Sequence, residues 1–237
     1  MDSSKAEDQT RYFIFGSAIF EVVVPVFRDR LENYYRGLGC PNFQAFLNHQ
    51  PITHIMFHLR FKDKHCCFDR TNCFSQQFPP LISYQWNLLY TNATNPKCNR
   101  SCHCKYTANP VGLLDLDLTL ASLILIRACS LPQTDLTNIQ NLREFKNTYL
   151  SHNKEGCISK DDFDTLWVDL TTYILQLDPS KQDDLIRIQN RPLDARLYRK
   201  YHIDLIDVHN LLQEIQQKVE PIPNMAQNIT EIKVMMA

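Results

Sequence analysis

The segment that decides the fold class is residues 113–129, LLDLDLTLASLILIRAC. Ten of the fourteen residues from 116 to 129 are apolar, so the segment is apolar nearly all round when it is drawn as a helix. A helix of that kind is buried inside a helical protein. Asp115 and Asp117 are two positions apart and do not share a helical face, so one of them is expected to cap or pair at the helix start. The segment predicts a central buried helix.

Helical patterns continue on both sides of this segment. Five glycines against twelve prolines, and apolar residues with a 3.6-residue period, favour helices over a turn-rich β fold. Asn42 and Thr137 are predicted N-caps, and Ser159 with Asp162 forms a predicted capping box. We therefore predict an all-α helical bundle. The predicted helices cover residues 10–36, 42–51, 113–129, 137–152, 159–177, a helix after Pro179, and about 193–219. Residues 52–61 are apolar and could form a helix or a strand, and we interpret them as a helix.

Composition divides the 237-residue chain into a long domain with two flanking segments. Residues 1–9 are polar and are expected to be disordered, residues 10–219 form the predicted single domain, and residues 220–237 form a tail without periodicity. Residues 62–110 are rich in Cys, Asn, Pro and Lys and form a predicted insert in that domain. The formal net charge of −1 excludes a global basic field, so any contact with nucleic acid requires a local patch.

The N-terminal run at residues 12–27, YFIFGSAIFEVVVPVF, is apolar enough to suggest a signal peptide. However, the residues before it carry both acidic and basic side chains rather than a positive n-region. Glu21 and Pro25 interrupt the run, which is shorter than the roughly 20 residues that span a bilayer. We predict a buried helix kinked at Pro25, no membrane association, and a cytoplasmic or nuclear protein. The three Asn-X-Ser/Thr sequons would then carry no glycan.

Six of the nine cysteines lie between residues 66 and 104, inside the predicted insert. Cysteines in a protein without a secretion signal favour thiols and metal ligands over disulfides. The stretches HCCFDRTNC (65–73) and CNRSCHC (98–104) could each supply ligands to a structural zinc ion. Reduced cysteines in an irregular loop are the alternative. The candidate ligands are Cys66, Cys67, Cys98, Cys102, His103 and Cys104, with His65 and Cys73 as further members of the first stretch.

Two other polar groups carry weaker signals. His54 and His58 are one helical turn apart, a spacing compatible with a metal, but without an obvious third ligand they are interpreted as structural. The segment RLYRKYH (196–202) mixes basic residues with tyrosines that could touch nucleic acid. It is interpreted instead as the solvated face of the last helix.

The segment NLREFKNTYLSHN (141–153) concentrates polar residues at a predicted helix end. Arg143, Lys146, Asn147 and His152 lie off its apolar stripe. In the simplest interpretation this is a solvated C-terminus, where the helix dipole stabilises cations by about 0.3–1 kcal/mol. In the other interpretation these residues form a catalytic group.

The order of these features resembles the HEPN domain, specifically the type found in the DAZ-interacting zinc-finger ubiquitin ligases and abundant in aquatic invertebrates. The resemblance is carried by LREFKNTYLSH (142–152), by DLDLTLASLILI before it and by ISKDDFDTLWVDL after it. Upstream, PITHIMFHL (51–59) and the cysteine clusters stand in the same order as in that family. The resemblance covers about residues 10–215. It implies a helical bundle that commonly forms a homodimer.

Many HEPN proteins are endoribonucleases that use no metal, with an arginine and a polar residue placed four to six residues before a histidine. Here the pattern falls on Lys146, Asn147 and His152. The resemblance implies that His152 is the general acid and base for attack by the RNA 2′-OH, and that Lys146 with Arg143 holds the phosphate. Asn147 would orient one of them, and a role in innate defence would follow.

Two features of the segment support a second hypothesis. Lysine lacks the planar fork with which arginine binds phosphate. In an ideal helix, residues six apart are rotated by about 240° around the axis, so Lys146 and His152 would not share a face. The site would therefore require that the helix ends before His152 or that a partner subunit completes it. The second hypothesis is a non-catalytic module for dimerisation or for binding a signalling or ubiquitin-pathway protein.

Overall fold

The computed structural model describes residues 3–61, 64, 81–94, 102–192 and 194–199. Within these residues the fold is mostly helical, as predicted. The contacts group the chain into two compact units, whereas the sequence pattern predicts one domain over residues 10–219. The first unit contains residues 1–17, 144–167 and 187–237, and the second unit contains residues 18–143 and 168–186.

The elements follow the chain in an order close to that predicted. They are α1 (Ser3–Ala18), a π-helical turn (Ile19–Val23), α2 (Val24–Gly37), α3 (Phe43–Leu47), α4 (Gln50–Arg60), α5 (Ser83–Leu89), β1 (Tyr90–Asn92), a 3₁₀ turn (His103–Lys105), β2 (Tyr106–Ala108), a 3₁₀ turn (Leu113–Asp115), α6 (Leu118–Ala128), α7 (Gln133–Phe145), a π-helical turn (Lys146–Ser151), α8 (Lys160–Leu177), a 3₁₀ turn (Pro179–Lys181) and α9 (Gln182–Gln189).

The first helix begins at Ser3, although residues 1–9 are expected to be disordered. Arg11 explains the difference, since its guanidinium pairs with Asp8 and Glu7 one turn earlier. In addition, the Ile158 N–H donates to the Asp8 carbonyl at 3.1 Å. These contacts hold the polar first turns of α1 in helical form.

A local change of helical geometry occurs where a kink at Pro25 is predicted. The π-helical turn Ile19–Val23 joins α1 to α2, and Pro25 lies in the first turn of α2. Proline has no N–H to donate to the preceding turn, so the α-helical bonding pattern is interrupted there. By length and composition, residues 4–37 could cross a membrane, but 72% of the apolar window is buried in the fold, as in the core helix of a globular protein.

The predicted central helix is confirmed as α6, in the second unit. It packs against α2 and α4, and Leu120, Ala121, Ile124 and Leu125 are almost fully buried. It begins at Leu118, later than residue 113, because the Asp117 carboxylate caps it by accepting from the Leu120 N–H at 2.6 Å.

Two other capping predictions have opposite outcomes. The N-cap at Asn42 is confirmed, because its side chain accepts from the Ala45 N–H at 2.8 Å. The N-cap at Thr137 is wrong, because α7 begins at Gln133, directly after Pro132. The Thr137 hydroxyl instead donates to the Gln133 carbonyl at 2.9 Å, a bond that threonine makes inside a helix.

Residues 52–60 are helical as predicted, in α4, although the helix begins at Gln50 and Pro51 lies in its first turn rather than closing the preceding helix. The described part of the insert contains an unpredicted strand pair. β1 and β2 are antiparallel, with Tyr90 opposite Ala108 and Asn92 opposite Tyr106. Trp86 stacks on Tyr90 at 4.5 Å between ring centroids and meets Tyr106 edge-on at 4.9 Å. This part of the insert therefore has an aromatic core of its own. Residues 65–80 and 95–101 lie outside the described residues, as do most of the predicted last helix and the whole predicted tail.

Candidate functional site

The predicted catalytic segment ends in a π-helical turn. After α7, residues Lys146–Ser151 continue the helix with wider hydrogen bonding, and His152 is the residue at its C-terminus. The His152 N–H donates to the Asn147 carbonyl at 3.1 Å, a bond across five residues. Such a bond places Asn147 one turn before His152 on the same side of the helix. The helical structure thus ends at Ser151, before His152.

Contacts inside the first unit hold this turn in place. The Tyr12 hydroxyl donates to the Leu150 carbonyl at 3.4 Å, and the Phe15 ring lies 6.1 Å from the rings of both Phe145 and Tyr149. Leu150 is fully buried. α1 therefore anchors the apolar side of the turn.

The four predicted catalytic residues differ in exposure and in position. His152 is exposed, and Lys146 and Asn147 are half-buried, all three in the first unit. Arg143 is half-buried and belongs to the second unit. The wider turn links Asn147 and His152 through the backbone bond from the His152 N–H to the Asn147 carbonyl. No proline or glycine within 146–151 marks the π-helical turn, so no residue pattern predicts it.

The loop after His152 has a defined structure. The Asn153 amide donates to the Cys157 carbonyl at 2.7 Å, and its side-chain oxygen accepts from the Gly156 N–H at 3.0 Å. Gly156 has φ +63°, a left-handed conformation that favours glycine. The Tyr198 hydroxyl donates to the Gly156 carbonyl at 3.3 Å, so this tyrosine of the basic segment 196–202 contacts the loop.

Three of the six predicted metal ligands come together in the second unit. The Cys102 Sγ, a ring nitrogen of His103 and the Cys104 Sγ all lie within 4.8 Å of one another, so this group could hold a metal ion. The 3₁₀ turn produces this proximity, since the Lys105 N–H donates to the Cys102 carbonyl at 3.0 Å and folds the chain back. The other three predicted ligands, Cys66, Cys67 and Cys98, lie outside the described residues, as do His65 and Cys73.

His103 is almost completely buried, with 3% of its surface exposed. Burial, together with the neighbouring imidazoles of His54 and His58, lowers the pKa of His103 to about 4. Its ring is therefore neutral at pH 7, which is the form that binds metals.

His54 and His58 lie beside this group, although the sequence pattern does not assign them to a site. Both are on α4, with ring centroids 4.8 Å apart, and the His54 ring is 5.5 Å from that of His103. α4 also packs directly against the 3₁₀ turn. Their spacing was a usable signal, but the third imidazole is far along the chain and no local pattern connects it to α4.

A cavity of about 430 Å³ opens next to the cysteine and histidine group. His103 and Cys104 line it on one side, together with Thr53 of α4 and Tyr106 and Thr107 of β2. The group is thus reachable by a small ion through a space bounded by polar side chains.

In the comparisons with known proteins, no family model, curated protein or solved structure matches the chain.

Proposed function

We propose that the protein is a HEPN-like RNA-binding protein that cleaves RNA without a metal ion, with His152 as the general acid and base. The observation that carries the proposal is the position of His152, exposed at the end of a π-helical turn and aligned with Asn147. A buried His152 would have argued against this function.

The residues of the turn match the needs of the reaction. In the proposed step, the neutral His152 imidazole takes the proton from a ribose 2′-OH, and the freed oxygen attacks the adjacent phosphorus. The bond from phosphorus to the 5′-oxygen then breaks, giving a 2′,3′-cyclic phosphate and a 5′-OH end. The leaving 5′-oxygen needs a proton, which His152 of a second copy would donate in the homodimer that we propose.

We assign to Lys146 the role of stabilising the negative charge of the phosphate. Its ammonium group is a point charge that can stabilise the developing charge but cannot form the two parallel hydrogen bonds of an arginine. Asn147 would orient His152, since its backbone carbonyl already fixes the His152 backbone. The rate is therefore expected to be low for this class of enzyme.

The test is an RNA-cleavage assay, with and without EDTA, on full-length protein beside the variant His152→Ala. Wild-type protein should leave 2′,3′-cyclic phosphate ends, and the variant should lose at least about 100-fold in rate, as expected for loss of an acid–base catalyst. His49→Ala is the matched control, because His49 is also exposed but lies at the start of α4 in the second unit. Equal melting temperatures for the proteins would show that any loss is chemical.

A second function is favoured by one observation, the lysine at the position where HEPN nucleases have arginine. The protein would then dimerise or bind a signalling partner without cleaving RNA. No cleavage by wild-type protein across varied single-stranded RNAs, combined with a stable homodimer in solution, would support this function and contradict the first.

A further inference from the structure

The imidazole of His54 lies next to the cysteine and histidine group, with its ring centroid 5.5 Å from that of His103. Cys102, His103 and Cys104 supply three ligand atoms, and structural zinc sites have four. The His54 ring is held by α4, and the other three residues by the turn that leads into β2. We propose that His54, Cys102, His103 and Cys104 bind one Zn²⁺ ion, which ties α4 to the strand pair of the insert.

The distances agree with tetrahedral coordination. With Zn–N of about 2.1 Å and Zn–S of about 2.3 Å, two ligand atoms on one ion lie roughly 3.6 Å apart, and two ligating imidazole rings have centroids roughly 5 Å apart. The His103 Nε2 is 3.9 Å from the Cys104 Sγ, and the His54 and His103 centroids are 5.5 Å apart. The ligand atoms of Cys102, His103 and Cys104 need shifts of up to about an ångström to meet on one ion, and the His54 and His103 centroids are about 0.5 Å farther apart than in such a site.

The chemistry of the ligands selects the class of metal. Two thiolates and two imidazoles are the ligands of zinc and other thiophilic ions, whereas Mg²⁺ and Ca²⁺ require oxygen ligands. Because all four positions would be filled by protein side chains, the ion would be structural rather than catalytic. The cavity beside His103 and Cys104 provides its entry path.

His58 has a supporting position. Its ring meets the His54 ring edge-on, at an interplanar angle of 78° and a centroid distance of 4.8 Å. It also packs edge-on against Phe57, at 5.2 Å. His58 therefore restricts the orientation of the His54 ring, and we assign it as a positioning residue.

This ligand set differs from the one that the sequence pattern predicts. It requires neither Cys66, Cys67 nor Cys98, because a residue of α4 replaces them. The site is also independent of the proposed ribonuclease function, which uses His152 in the first unit and no metal. A failure of either proposal therefore leaves the other standing.

The test is a zinc titration of reduced, metal-stripped full-length protein in competition with a chromophoric chelator. Wild-type protein should bind one equivalent, and His54→Gln should weaken binding by at least about 100-fold, since loss of an outer-shell partner alone costs 10–100-fold. His54→Cys keeps a ligand at this position and should keep tight binding. The controls are His49→Gln, an exposed histidine near the start of α4, and the triple variant Cys66→Ser, Cys67→Ser, Cys98→Ser; both should bind as wild type does.

Co²⁺ loading gives a readout that a folding defect would not imitate. The charge-transfer absorption of the Co²⁺ complex depends on the number of thiolate ligands, so His54→Cys should add the contribution of a third thiolate. An unchanged Co²⁺ spectrum for His54→Cys would overturn the proposal. So would a loss of zinc binding in the triple cysteine variant together with normal zinc binding by His54→Gln. Absence of zinc binding by the wild-type protein would overturn it as well.

Discussion

At the scale of single residues, Lys146 is the position at which the proposed chemistry can be strengthened. Lysine offers phosphate a compact charge, whereas arginine offers a planar fork that binds two oxygens at once. We expect Lys146→Arg to raise the rate of RNA cleavage, by about 10-fold for about 1.4 kcal/mol of added transition-state stabilisation. The measurement is single-turnover cleavage of one RNA by the two proteins.

The control for this prediction is Lys160→Arg. Lys160 is exposed in the same unit but begins α8 and lies outside the π-helical turn. An equal increase in both variants would mean a general effect of arginine on RNA binding, and a decrease in Lys146→Arg would contradict the assigned role.

At the scale of elements, the start of α6 depends on one carboxylate. Asp117 is extended at φ −73° and ψ 169° and caps the helix through the Leu120 N–H. We expect Asp117→Ala to reduce the free energy of unfolding by about 1 kcal/mol, because the cap is lost. Chemical denaturation followed by circular dichroism would measure the change.

The matched variant is Asp117→Asn, because the asparagine oxygen accepts the same bond and is about as good an N-cap. It should retain nearly the full stability. Equal destabilisation by both variants would show that the negative charge at the helix start matters more than the hydrogen bond.

Elements were predictable where a local pattern determines them. The buried helix α6 can be recognised from its apolar run and the N-cap at Asn42 from its short polar side chain, in each case from a few neighbouring residues. The predicted N-cap at Thr137 is wrong because a threonine hydroxyl can either accept from an N–H at a helix start or donate to a carbonyl of the preceding turn. Here it donates, and α7 begins earlier, at Gln133, directly after Pro132. β1 and β2 are three residues each, so their pairing depends on side chains of α4 and α5 rather than on any strand pattern.

The same distinction explains what could be predicted of the two candidate sites. Cys102, His103 and Cys104 are consecutive, and their proximity was evident from the sequence. The approach of His54 depends on how α4 packs, which no neighbouring residue specifies. Likewise, Asn147 and His152 align only because the helix changes from α to π geometry within the segment.

At the scale of the whole molecule, Arg30 joins three helices of the second unit. From α2, its guanidinium donates to the Asp135 carboxylate of α7 at 2.7 Å and to the Leu177 carbonyl, the last residue of α8, at 2.6 Å. Asp135 is 9% exposed, so removal of its partner leaves a mostly buried charge. We expect Arg30→Ala to reduce the free energy of unfolding by about 2–3 kcal/mol.

Arg36→Ala is the control, because Arg36 pairs with Glu32 on the same helix in a largely exposed ion pair. Its loss should change the free energy of unfolding far less than Arg30→Ala does, because an exposed ion pair contributes little to stability. Urea unfolding can be followed by Trp86 fluorescence in a Trp167→Phe background, since Trp86 lies in the second unit and Trp167 in the first. Similar midpoints for the two arginine variants would contradict the central role of Arg30.

The packing of α2 on α6 has a consequence for synthesis on the ribosome. The two helices are neighbours in the fold, but α2 ends at Gly37 and α6 begins at Leu118. At 5–20 residues per second, the apolar face of α2 waits about 4–16 s for its partner to be translated. During that interval Val26, Phe27 and Leu31, nearly or fully buried in the finished protein, are exposed to other nascent chains. We therefore expect expression at high ribosome density to favour aggregation over folding.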